Sequence, residues 1–124
     1  MKAAIIIFSD PRHGGEEATG RCFNGLAAAH DFKHKGTEVG IYFQGTGTRW
    51  AGVLTRADHP LNALYQAVAD TVAGVSCGCA DVFGAREDAE KNGFDLITDN
   101  SVPGTSGLPS IARLAQDGWT IYSF

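Results

Sequence analysis

Two cysteines one residue apart, Cys77 and Cys79, stand where an apolar run from Val72 to Cys77 gives way to a turn at Gly78. The thiolate is the reactive form of cysteine, and it is favoured where backbone N–H groups and a helix N-terminus face the sulfur. A thiol at the carboxyl end of a strand, beside the start of a helix, meets that requirement. Such a thiol could accept sulfur as a persulfide or attack a disulfide. The plain alternative is that both are small buried side chains, since free cysteine packs as a small hydrophobe. A disulfide between residues two apart would be strained, so no stable Cys77–Cys79 bridge is expected.

Other groups could bind rather than react. The loop from Ser9 to Glu16 carries Arg12 and His13, which with its backbone N–H groups could hold an anion; a solvated turn is the other reading. The stretch Gly45-Thr46-Gly47-Thr48-Arg49-Trp50 follows a strand, as a dinucleotide fingerprint would. Trp50 occupies the third glycine position of G-x-G-x-x-G, so the segment reads better as a flexible loop beside a pocket. His59 reads as a cap or surface residue that could approach the cysteine loop. His13, His30, His34 and His59 show no zinc-type spacing with Cys77 and Cys79, so neither a metal nor a cofactor is expected. Cys22 lies on the apolar face of a helix and reads as core, and Trp50 reads as a core or subunit-contact aromatic.

These groups need a scaffold, and the hydrophobic pattern supplies one. Lys2 to Phe8 is a continuous apolar run, the mark of a strand buried on both faces. A helix from Glu16 to about Lys35 follows, acidic in its first turn, basic in its last and closed by Gly36. Ala18, Cys22, Leu26, Ala29 and Phe32 form its core-facing stripe. Further strands are predicted over Glu38–Phe43, Val72–Cys77, Phe94–Thr98 and Trp119–Phe124. Helices are predicted over Trp50–Leu54, from Pro60, from Ala80, over Ala85–Asn92 and from Pro109. Strands alternating with helices imply a parallel sheet covered on both faces. In such sheets ligands gather at the carboxyl ends of the strands, where the loops Ser9–Gly15, Gln44–Thr48 and Ser76–Cys79 would converge.

The bulk composition fits a chain of this class. Its 124 residues, 44% hydrophobic and 19% charged, suit one domain spanning residues 1–124. The net charge of -4 and the scattering of ten basic residues argue against nucleic acid. No apolar run approaches the roughly 20 residues of a membrane span, and the opening run is too short for a signal peptide. Three cysteines without framework spacing suit a reducing compartment, the cytoplasm.

The chain resembles the DsrE/DsrF-like family nearly end to end. The resemblance is carried by the opening strand and long helix, by Gly45 to Trp50 followed by His59-Pro60-Leu61-Asn62-Ala63-Leu64-Tyr65, by Val72 to Gly84, and by Pro109 to Leu114 leading into Gly118 to Phe124. It implies a three-layer α/β/α sandwich, flavodoxin- or Rossmann-like, around a five-stranded, mainly parallel sheet. It also implies homo-oligomers or hetero-oligomeric rings, and in some relatives a cysteine that carries sulfur as a persulfide between donor and acceptor proteins. Many relatives of this subgroup read C-x-x-C-A-x-x-F-G. Cys79-Ala80-Asp81-Val82-Phe83-Gly84 matches its second half, whereas its first cysteine, the working thiol of the established carriers, falls on Ser76, one place before Cys77.

The leading expectation is a sulfur carrier, at most sulfurtransferase-like, acting through Cys77 or Cys79. Ser76, Gly78 and the neighbouring amides would surround the sulfur. The alternatives are a non-catalytic module binding a small anion or nucleotide through Arg12, His13, Gly45, Gly47 and His59, or a structural oligomer subunit.

Overall fold

The structure, a computed structural model, describes residues 1–124. Strand β1 is Lys2–Ile7, and Ala3 through Ile7 are buried on both sides. Helix α1 spans Gly15–His34 and buries Ala18, Cys22, Gly25, Leu26 and Ala29, with Phe32 packed at the core margin. Gly25 is required by close approach: a Cβ there would lie 3.1 Å from Ile7 Cδ1 and 3.3 Å from the Phe124 ring. The chain continues through β2 (Glu38–Phe43), a 3-10 helix (Gly45–Gly52), α2 (Asn62–Val68), β3 (Val72–Ser76), α3 (Cys77–Val82) and α4 (Arg86–Lys91). It closes with β4 (Leu96–Ile97), α5 (Ile111–Gln116) and β5 (Trp119–Ser123).

All four strand pairings are parallel, in the order β4-β3-β2-β1-β5. Every strand therefore ends at the same edge of the sheet. Ile5 pairs with Ile41 and Tyr122, and these point toward the main core with Ile7, Phe43 and Val75. Ile6 pairs with Tyr42 and Ser123, which point the other way. The first three crossovers step in one direction and the last steps back across the sheet. Right-handed crossovers therefore put α1 to α4 on one face and α5 on the other. The second layer is thin. No residue of α5 is buried, Ile111 is exposed, and a groove of about 310 Å³ lies between Leu114, Trp119 and Tyr42.

Several elements differ from the sequence pattern for local reasons. The helix predicted over Trp50–Leu54 is the 3-10 helix Gly45–Gly52. Gly47 there lies so close to β1 that a Cβ would overlap the Ile7 carbonyl oxygen. The strand predicted over Phe94–Thr98 shrinks to Leu96–Ile97, because Phe94 turns into the core, edge-on to Phe43 at 6.1 Å between ring centroids. β3 ends at Ser76, and Cys77 already belongs to α3.

Candidate functional site

Ser76 is the hinge between β3 and α3. It is fully buried, and its Oγ accepts the Cys79 N–H at 3.3 Å, capping the helix. Cys77 is therefore the first residue of α3 and Cys79 lies in the same turn, rather than in a loop ahead of a helix starting at Ala80. Cys79 is half-buried, whereas Cys77 is 3% exposed.

Burial of Cys77 is not burial in hydrocarbon. Ser106 Oγ lies 3.1 Å from its Sγ and 2.6 Å from Asp81 Oδ2. Asp81 in turn accepts from Arg86 Nη1 at 3.1 Å. The Ser106 hydroxyl, then Arg86, hold the Asp81 carboxyl below its ordinary value of 3.8. Glu90, Asp81 and the nearby Cys77 sulfur raise that of the Arg86 guanidinium. The order Cys77, Ser106, Asp81, Arg86 is thus a continuous polar chain from a buried sulfur to solvent.

The loop after β4 brings Ser106 there. Asn100 and Leu108 exchange both backbone hydrogen bonds (2.7 and 3.0 Å), pinching the loop, and Gly78 N–H donates to the Gly107 carbonyl at 2.7 Å. Gly78 has no side chain where one would strike Leu108, Gly107 and Thr105. Because all strands end at one edge, the loop following β4 necessarily lies beside the end of β3.

The other two expected loops also meet at this edge, tied by the 3-10 helix. Arg49 Nη1 donates to Asp10 Oδ2 at 2.8 Å, and Arg49 Nε to the Phe83 carbonyl at 3.2 Å. Its guanidinium lies 5.7 Å from the Phe83 ring centroid. Burial raises the Asp10 carboxyl, but the Arg12 N–H and the Arg49 guanidinium outweigh it and bring it below 3.8. Trp50 is core, its Nε1–H donating to the Ser9 carbonyl at 2.9 Å. Gly45 adopts φ +58°, which only glycine takes without strain, and Gly47 packs against β1.

Arg12 and Arg49 line a cavity of about 240 Å³ with Pro11, Gly52, Val53 and Asp88. Neither cysteine lines it, so Arg12 is not brought to the thiols. His13 is exposed. His59 accepts the Leu61 N–H through Nδ1 at 3.1 Å and stands edge-on to Trp50 at 5.9 Å, in the turn ahead of α2, whose N-cap is Leu61. Cys22 is fully buried and its thiol is pushed well up by burial, as suits a core residue. No group of three or more His, Cys, Asp or Glu side chains is placed to hold a metal ion. No helix is long and apolar enough to cross a membrane.

Ser106 and Arg86 have no place among the residues singled out from the sequence, and Arg49 and Asp81 appear there only inside longer stretches, with no role of their own. Parallel topology alone could have drawn attention to Ser106. No sequence spacing relates it to Cys77, 29 positions earlier.

A five-stranded, all-parallel sheet with helices packed on it defines an α/β fold. The profile of the DsrE/DsrF-like family matches residues 1–124, and the chain belongs to that family. It is 34% identical over 89 residues to "Uncharacterized protein MJ0733" of Methanocaldococcus jannaschii, covering 71% of each chain. The fold is that of the ychN protein from E. coli, whose crystal structure superposes over 100% of both chains with a TM-score of 0.56 at 16% identity.

Proposed function

We propose that this protein carries sulfane sulfur as a persulfide on Cys77. The observation behind the choice of Cys77 over Cys79 is the hydroxyl of Ser106, 3.1 Å from the Cys77 sulfur. A donor there can stabilise an anion on sulfur, and hydrogen bonds to a charged acceptor are about twice as strong as neutral ones. Family membership supports a sulfur carrier in general, and Cys77 is the cysteine next to Ser76, where the resemblance places the working thiol.

The exchange needs no cofactor. The Cys77 thiolate attacks the outer sulfur of a donor R–S–SH, forming a new S–S bond. The donor's S–S bond breaks, and its electron pair leaves on R–S⁻, which takes up a proton. Attack by an acceptor thiolate on the outer sulfur of Cys77–S–SH returns Cys77 and forms the acceptor's persulfide. Donor and acceptor proteins, and a homo-oligomer using the thinly covered sheet face around Trp119 and Leu114, belong to this reading.

Intact-mass spectrometry after incubation with a persulfide donor tests it. Wild-type protein gains about 32 Da, one sulfur atom; Cys79→Ser keeps the gain and Cys77→Ser loses it. Wild-type protein that gains nothing, or a gain that survives in Cys77→Ser, refutes the assignment.

A second reading rests on the cavity between Arg12, Arg49 and Asp88. The Arg12 guanidinium is exposed there and could hold a small anion as a binding module. Thermal shifts with phosphate, sulfate and nucleotides test it, since a ligand that binds only the folded state raises the melting temperature.

A further inference from the structure

Ser106 has a single hydroxyl hydrogen and two acceptors within reach: Asp81 Oδ2 at 2.6 Å and Cys77 Sγ at 3.1 Å. Both cannot be served at once. The carboxylate is charged and closer, so in the resting protein it takes the hydrogen. The lone pairs of Ser106 then face Cys77, which can donate its own S–H to them. In that arrangement the hydroxyl donates to the carboxylate, which also accepts from the Arg86 guanidinium, and no hydrogen is left for an anion on the sulfur.

Turning the Ser106 hydroxyl reverses this arrangement. The hydrogen then points at sulfur and supports the thiolate. Asp81 is not left bare by the turn, because Arg86 Nη1 still holds it at 3.1 Å. Cys77 itself is 3% exposed, so water contributes little to stabilising its anion. Ser106, Asp81 and Arg86 are all exposed, so a docking partner can reach them.

We propose that Ser106 is a positioning residue for the Cys77 chemistry, and that competition between Asp81 and Cys77 for its one hydrogen sets the reactivity of the sulfur. This rests on the persulfide reading of Cys77, but it makes a claim about thiol reactivity that can be measured without any sulfur donor. Ser106 supplies the stabilising hydrogen whenever its hydroxyl turns to the sulfur, and Asp81, by competing for that hydrogen, reduces how often it does so.

The experiment is the rate of alkylation by iodoacetamide at pH 7, in a Cys79→Ser background so that Cys77 is the only thiol on its peptide. Peptide mass spectrometry reads its modification, with Cys22 as the buried reference. Ser106→Ala slows the Cys77 reaction about tenfold, less than the full effect of one hydrogen bond to a charged group because Asp81 competes for the hydrogen. Ser106→Thr, which keeps the hydroxyl, reacts at close to the parent rate. Asp81→Asn reacts several times faster, and that gain shrinks when Ser106→Ala is also present, because the two residues act on one hydrogen.

A cover that merely shields the sulfur predicts the opposite sign: trimming Ser106 to alanine uncovers Cys77 and speeds its reaction. Ser106→Ala that reacts as fast as the parent or faster therefore overturns the proposal. So does an Asp81→Asn variant that slows, or one whose gain is unchanged without Ser106. A protein with the expected alkylation pattern that takes up no sulfur refutes the carrier reading alone. Sulfur uptake on Cys77 without the alkylation pattern refutes the shared hydrogen alone.

Discussion

Gly78→Ala isolates the contact that seats the Ser106 loop on α3. Built onto the backbone, the new Cβ would lie 2.8 Å from Leu108 Cδ1, 3.1 Å from the Gly107 carbonyl oxygen and 3.2 Å from Thr105 Cβ. The leucine methyl can swing aside. The carbonyl cannot, because it accepts the Gly78 N–H at 2.7 Å, and Gly107 is itself confined, a Cβ there falling 2.7 Å from the Thr98 carbonyl oxygen. Two terms oppose each other. Alanine in place of glycine favours a helix by up to about 1 kcal/mol, and overpacking of this kind costs about 1–3 kcal/mol. The loop is the softer partner, so it yields, and global stability falls by at most about 2 kcal/mol. Hydrogen exchange reads the two effects separately. The Asn100 and Leu108 amides, which pinch the loop, should exchange about 10–30 times faster, since each tenfold corresponds to about 1.4 kcal/mol. The amides of β1 and α1 should follow only the global change measured by urea unfolding. A variant stabilised by about 1 kcal/mol with its loop amides unmoved would refute the packing that places Ser106 on Cys77.

Two other perturbations probe the rest of the edge. Arg49→Met removes the partner of a carboxylate only 16% exposed and a bond to the Phe83 carbonyl. It should cost about 1–3 kcal/mol in urea unfolding, and adding Asp10→Asn should recover part of the loss; a double variant no better than the single one contradicts the pairing. Burial, and then Arg56, hold His59 below its ordinary value of 6.5, and a protonated ring could not accept the Leu61 N–H. Below pH 6.5 the unfolded chain gains a proton that the folded chain resists. Stability therefore falls with decreasing pH until the folded histidine also protonates. His59→Gln should flatten that limb of the profile of urea midpoint against pH, and an unchanged slope would sink the assignment.

Much of the scaffold was legible because its signals are local. The apolar run at Ile5-Ile6-Ile7 marks a buried strand, and the stripe through Ala18, Cys22, Leu26 and Ala29 marks the face α1 turns to the core. Resemblance carried the family, which the match over residues 1–124 shows. Boundaries failed where tertiary contact overrode pattern. Phe94 reads as strand by its neighbours but fills the core against Phe43. Gly45 and Gly47 read as loop but belong to a 3-10 helix that runs to Gly52 against β1. At the site, Cys77 and Cys79 announce themselves by type and spacing. Ser106 does not, because a serine in a Gly- and Ser-rich loop looks like any other until the sheet sets that loop beside β3. Asp81 and Arg86 look like a surface ion pair until Ser106 links them to sulfur.

Carriage means release as well as capture, and one discharge experiment reads both. Protein loaded from a persulfide donor is freed of excess reagent and mixed with a small acceptor thiol, while intact mass is followed in time. The account predicts that an added mass of about 32 Da, located on the Cys77 peptide, disappears stoichiometrically as the acceptor's persulfide forms, and that Cys77→Ser shows neither step. Sulfur that never loads on Cys77, or loads and cannot be removed by any thiol, contradicts it.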